Sequence, residues 1–194
     1  RKGLTLDTIF INNKKFPICT IKHGELDLIK HGADFFTGTT IIESSETKKI
    51  SDLVEAEEIN YYKIGENIFK IESSLQMKNG IKELKSWIID EKNNSITFDL
   101  ILDCPLFIRG SIRVGILTLD KTFASKNGSI KIKNGNKYYE KINLKNNEIN
   151  QHIPKSLTQS SQSGLGCTNG IMKFKNDDSS FQIKIDREIS YPFI

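Results

Sequence analysis

Residues 23 to 53, HGELDLIKHGADFFTGTTIIESSETKKISDL, gather two of the chain's three histidines with a dense set of carboxylates. They also set the aromatic pair Phe35–Phe36 between Asp34 and a Thr37–Gly38 turn. On a helix, His23, Asp27 and His31 would stack on one face at a spacing of four, where two imidazoles and a carboxylate could hold a divalent ion. Gly24, Gly32 and the strand-like run that follows argue for a loop instead, and the metal reading gives way with the helix. What remains is a sugar-facing or interdomain corner. His23 and Asp34 would hydrogen-bond a saccharide, and Phe35 or Phe36 would stack on its ring. The competing reading makes the two rings core residues and Asp34 a turn cap.

Other chemistries find less support. Glycoside hydrolysis needs two carboxylates about 5 to 10 Å apart across the scissile bond. Asp27, Asp34, Glu43, Asp52, Glu55, Asp90 and Asp120 are available, but their spacing sets no two across a cleft, so no catalytic pair is assigned. The run Ser160-Ser161-Gln162-Ser163-Gly164 is not a G-x-S-x-G elbow, and Gly164-Leu165-Gly166 alone is a bend. A Cys167–His152 pair is conceivable only as a chance match. There is no P-loop and no dinucleotide fingerprint, and no cofactor is implied. Trp87, the one tryptophan, sits on an expected long strand and reads as core.

The elements that must position these residues are strands. Period-two alternation marks Asp7 to Ile11, Phe16 to Ile21, Tyr61 to Ile71, Ile96 to Leu102, Ile112 to Leu119, Ile130 to Lys133, Ile171 to Lys175 and Phe181 to Ile185. Lys63 to Met77 and Leu84 to Asp103 are each long enough for an extended hairpin. Asn12-Asn13, Asn79-Gly80, Asn93-Asn94, Asn127-Gly128, Asn134-Gly135, Asn169-Gly170 and Asn176-Asp177 punctuate them, residues that tolerate positive φ in hairpin turns. Ile50 to Asn60 is the best short-helix candidate. The expectation is all-β: one large antiparallel β-sandwich over residues 1–194 with little helix. The non-Met start and the apolar YPFI end suggest a domain excised from a longer protein.

Composition narrows the partners. Net charge is +4, yet the basic residues are nearly all Lys and alternate along strands, as in Ile130-Lys131-Ile132-Lys133 and Lys173-Phe174-Lys175. That is a solvated sheet face guarded against edge pairing, and it argues against nucleic acid as a partner. No run of about 18 apolar residues and no signal or lipidation motif points to a membrane. Cys19, Cys104 and Cys167 are far apart and form no CxxC, so buried thiols in a reducing, cytoplasmic compartment are expected.

Three stretches resemble a known pattern: RKGLTLDTIFI leading into HGELD and GADFFTGTTIIE, then RGSIRVGILTLD, then SSQSGLGCTNGIMKFKNDDSSFQIKID. In segment order they resemble the galactose-mutarotase-like β-supersandwich domains of mannosidase-type and related carbohydrate-active enzymes. The resemblance implies an accessory domain of a polysaccharide-active enzyme such as a glycoside hydrolase. Its partners would be an oligosaccharide or polysaccharide and a neighbouring catalytic domain of the same chain. It transfers no catalytic residue. Two alternatives stand beside it: a self-sufficient sugar epimerase, mutarotase or lyase with His23 or His31 as base, and a structural or adhesion module without a small ligand.

Overall fold

The structure is a computed structural model that describes residues 2–21, 36–45, 49–105, 107–120, 122–135, 138–144, 167–186 and 188. Strand makes up 60% of these residues and helix about 5%, which establishes the all-β, antiparallel, sandwich-like class expected from the alternation. The chain divides into two compact units, 1–119 and 120–194.

The first unit holds β1 (Thr8–Ile11), β2 (Lys14–Cys19), β3 (Thr39–Ser44), β4 (Ile50–Ser51), β5 (Asn60–Gly65), β6 (Ile68–Gln76), β7 (Lys82–Asp90), β8 (Ser95–Asp103) and β9 (Gly110–Ile116). They form a β1–β2 hairpin, a sheet in the order β4-β3-β9, and a meander in the order β5-β6-β7-β8. Asparagines close the hairpins. Asn12 and Asn13 turn β1 into β2 at φ 50° and 61°, Asn67 turns β5 into β6 at 58°, and Asn94 turns β7 into β8 at 48°. Asn tolerates this left-handed region because its short amide can bond the local backbone. The β7–β8 register then runs unbroken from Lys82↔Asp103 to Asp90↔Ser95.

The helix expected over Ile50–Asn60 does not form. Ile50 and Ser51 pair with Ile42 and Ile41 of β3, and the Asp52 amide donates to the Thr40 carbonyl at 3.2 Å. These backbone groups are committed to β3, and residues 52–59 run irregularly beyond it.

Ile42 and Ile50 of the β3 sheet, with Met77 and Ile81 of the β6–β7 corner, make a buried cluster against which Leu102, Cys104 and Ile108 pack. Each such side chain contributes roughly 1.5–3 kcal/mol by leaving water. On β7, alternation turns Glu83, Lys85 and Trp87 inward, all buried, while Lys82 and Leu84 face out. Across the sheet their neighbours are Leu75, Ser73 and Ile71 on β6 and Leu102, Leu100 and Phe98 on β8.

The second unit holds α1 (Thr122–Ser125), β10 (Ser129–Asn134), β11 (Tyr138–Asn143), β12 (Ile171–Lys175) and β13 (Ser180–Lys184), the strands ordered β11-β10-β12-β13. Ile130 and Ile132 are buried, whereas Lys131 is exposed, as the alternation predicts. The core is aromatic. Phe174 and Phe181 stack with centroids 4.8 Å apart, and Phe123 meets them edge-on at 6.3 Å and 5.9 Å.

Candidate functional site, a sealed lysine–carboxylate cluster

The densest ionisable chemistry among the described residues lies inside the first unit. Lys85 Nζ donates to the carbonyls of Gly3 at 2.6 Å and Gly38 at 2.8 Å, and to Asp52 Oδ2. Glu83 stands two positions earlier on the same face of β7, its Oε2 3.9 Å from Nζ. Its Oε1 accepts a hydrogen bond from the Thr40 hydroxyl of β3 at 2.6 Å. Lys85, Asp52 and Glu83 side chains have no solvent exposure at all. The Phe98 ring of β8 lies on another side of the ammonium, 5.9 Å from its centroid.

Backbone geometry makes this convergence possible. Gly3 has φ +60°, and a Cβ there would stand 2.6 Å from the Asp52 carbonyl oxygen. Gly38 has φ +90°, and its Cβ would stand 2.5 Å from Trp87 Cζ2. Any larger residue would hold these carbonyls away from Nζ. Trp87 closes the lid on this side by donating its indole N–H to the Leu4 carbonyl at 2.8 Å.

The charges do not balance unless a proton is present. One ammonium faces two carboxylates, and Asp52 Oδ1 and Glu83 Oε2 are both buried without a hydrogen-bond donor. Orphaned buried oxygens cost about 1–3 kcal/mol each, more when charged. A single proton carried by Glu83 and offered to Asp52 gives that pair its donor and makes the cluster neutral. Burial pushes the Glu83 carboxyl up from 4.5 to about 7, against the smaller downward pulls of Lys85 and the Thr40 hydroxyl, and Asp52 adds to the rise. At neutral pH a large share of Glu83 is therefore protonated.

Of the residues expected to face a sugar, His23, Asp34 and Phe35 lie outside the described residues, as do His31 and Asp27 of the metal reading. Phe36 is described. It is half-buried, and its carbonyl accepts the Thr39 hydroxyl at 2.7 Å. The flanks of residues 22–35 are pinned by threonines: Thr37 Oγ1 donates to the Cys19 carbonyl at 2.7 Å and its amide donates to Thr20 Oγ1 at 3.2 Å. Among the described residues no three His, Cys, Asp or Glu side chains are arranged to hold a metal ion, and no helix is long and apolar enough to cross a membrane. Cys19 and Cys167 are buried and Cys104 is half-buried. Trp87 is core, as expected, at 7% exposure.

Sequence reasoning counted Asp52 among seven loose carboxylates and passed over Glu83 and Lys85. A signal was present. Both share the parity of Trp87 in the strand KELKSWIID, so a buried Trp87 requires two inward charges beside it. Comparison with protein-family models, curated proteins and solved structures found no match in any of the three.

Proposed function

We propose that this chain is a structural or adhesion β-module whose chemistry is turned inward to fasten its own fold. The observation that carries the reading is the complete burial of Lys85, Asp52 and Glu83, which puts the cluster out of reach of any external substrate. Lys85 ties together four points remote in sequence: Gly3, Gly38, Asp52 and β7 itself. A fastener of that kind suits a module that must stay folded under load. The test is to screen the chain against oligosaccharides for binding and against glycosides and free aldoses for turnover. Neither is expected; measurable hydrolysis or mutarotation would overturn the reading.

One observation favours a second reading, the accessory carbohydrate domain implied by the supersandwich resemblance. Tyr61 on the edge strand β5 is 63% exposed and stacks on Phe69 with centroids 5.9 Å apart and planes 18° from parallel, the kind of supported, exposed ring that a sugar platform needs. Oligosaccharide binding that Tyr61→Ala abolishes without moving the unfolding midpoint would promote this reading over the first.

A further inference from the structure

We propose that Lys85 and Asp52 are joined by an amide bond that the folded chain makes for itself, with Glu83 as the acid–base group. Three features of the cluster lead there. The nucleophile and the electrophile are in direct contact, since Nζ donates to Asp52 Oδ2. Two backbone carbonyls aim the ammonium, Gly3 at 2.6 Å and Gly38 at 2.8 Å, so the approach is held without motion of either strand. The third group, Glu83, stands beside both reactants: its Oε2 is 3.9 Å from Nζ, and its Oε2 and Asp52 Oδ1 are two buried oxygens without a donor, which one shared proton would supply.

The step balances without any outside reagent. A proton passes from Nζ to Asp52 Oδ2, turning the buried ion pair into an amine and a carboxylic acid, which a dry site tolerates better than separated charges. The Nζ lone pair attacks Cγ of Asp52 and the N–C bond forms. Negative charge grows on Oδ1, where the Glu83 hydroxyl donates and stabilises it. Glu83 then takes a proton from Nζ and delivers one to the Oδ2 hydroxyl. The Cγ–Oδ2 bond breaks, one water leaves, and Glu83 ends protonated as it began. Nothing is oxidised or reduced. The enclosing Trp87, Phe98, Leu75 and Leu100 keep bulk water from the centre, which favours dehydration and opposes hydrolysis of the product.

The bond would link β7 of the four-stranded sheet to the residue that follows β4 of the three-stranded one. It goes beyond the structural reading and does not depend on it. A chain without the bond could still be a structural module, fastened by hydrogen bonds alone.

The experiment is the intact mass of the full chain under fully denaturing conditions, followed by proteolytic mapping. The wild type is expected to weigh about 18 Da less than its sequence, one water lost in a covalent modification, with the loss mapped to a branched peptide containing Asp52 and Lys85. Trypsin should fail to cut after Lys85. Full sequence mass after prolonged incubation of the folded chain at neutral pH overturns the proposal. So does a water lost elsewhere, such as a cyclised Asp. Glu83→Gln, confirmed folded by cooperative unfolding, should lose the water at least about 100-fold more slowly, the usual worth of a positioned acid–base group. If Glu83→Gln does not fold, Glu83→Asp takes its place. A folded variant that dehydrates at the wild-type rate removes Glu83 from the mechanism.

Discussion

Replacing Lys85 by Met is the perturbation that weighs the cluster. Methionine keeps the length and much of the volume of the lysine stem, so little cavity opens, and the change falls on the electrostatics. Asp52 loses the cation beside it, and breaking a buried pair by removing one partner costs about 3–5 kcal/mol. The Gly3 and Gly38 carbonyls lose donors at 2.6 and 2.8 Å, at about 1–3 kcal/mol each for buried groups left unsatisfied. These terms share partners and do not add fully. A net loss of roughly 4–6 kcal/mol follows, much of the 5–15 kcal/mol that typically holds a domain together. If the amide to Asp52 is present, it stands in place of the ion pair, and the loss is then the closure of a 33-residue separation, worth about 4 kcal/mol on the chain-entropy scale. The assay is urea unfolding followed by tryptophan fluorescence, because the one tryptophan, Trp87, lies beside the cluster. The triple replacement Lys85→Met, Asp52→Leu, Glu83→Leu should recover most of the loss, since no unpaired charge remains. A loss below about 1 kcal/mol in Lys85→Met, the scale of an exposed ion pair, would refute the reasoning.

Three further outcomes are expected. Glu83 is raised in the folded chain from 4.5 to about 7, so the stability it lends is complete below pH 4.5 and drains away as pH climbs through 7. That is about 3 kcal/mol by proton linkage, and Glu83→Gln should flatten this part of the stability–pH profile in urea melts. Gly38→Ala places a methyl 2.5 Å from Trp87 Cζ2 at φ +90° and should lower stability by about 1–3 kcal/mol or more, as overpacking does, read from the same melts. In the second unit, Phe123→Ala removes a ring that is 1% exposed and touches both Phe174 and Phe181; a loss of about 3–5 kcal/mol is expected by calorimetry.

The β-architecture was legible because its signals are local. Alternation sets which face a side chain takes, and Asn at 12, 13, 79, 94 and 127 adopts the positive φ that its sequence position suggested. Ile50–Asn60 misled because its first residues are claimed by β3, a partner distant in sequence that local pattern cannot reveal. The cluster was hidden for the same reason. Its members come from Asp52, β3 and β7, and only the pairing of sheets brings Thr40 to Glu83 across 43 residues. Charged residues in an alternating strand read by default as solvated, and that default is sound for Lys131 and Lys173, which are exposed. It fails for Lys85 because the parity of the strand is set by Trp87. The histidine-rich stretch attracted notice by composition, and of its expected sugar contacts Phe36 alone is described, a half-buried residue beside a threonine clasp.

Everything proposed for the core rests on a sealed site in which Glu83 holds a proton. The most direct measurement is the ¹³C shift of the Glu83 side-chain carboxyl, followed by NMR from pH 3 to 9, a window that spans free and buried carboxyls. Glu83 should remain largely protonated through pH 6 and titrate at about 7. A Glu83 signal that titrates at the ordinary carboxyl value near 4.5 would contradict the sealed cluster and the function built on it.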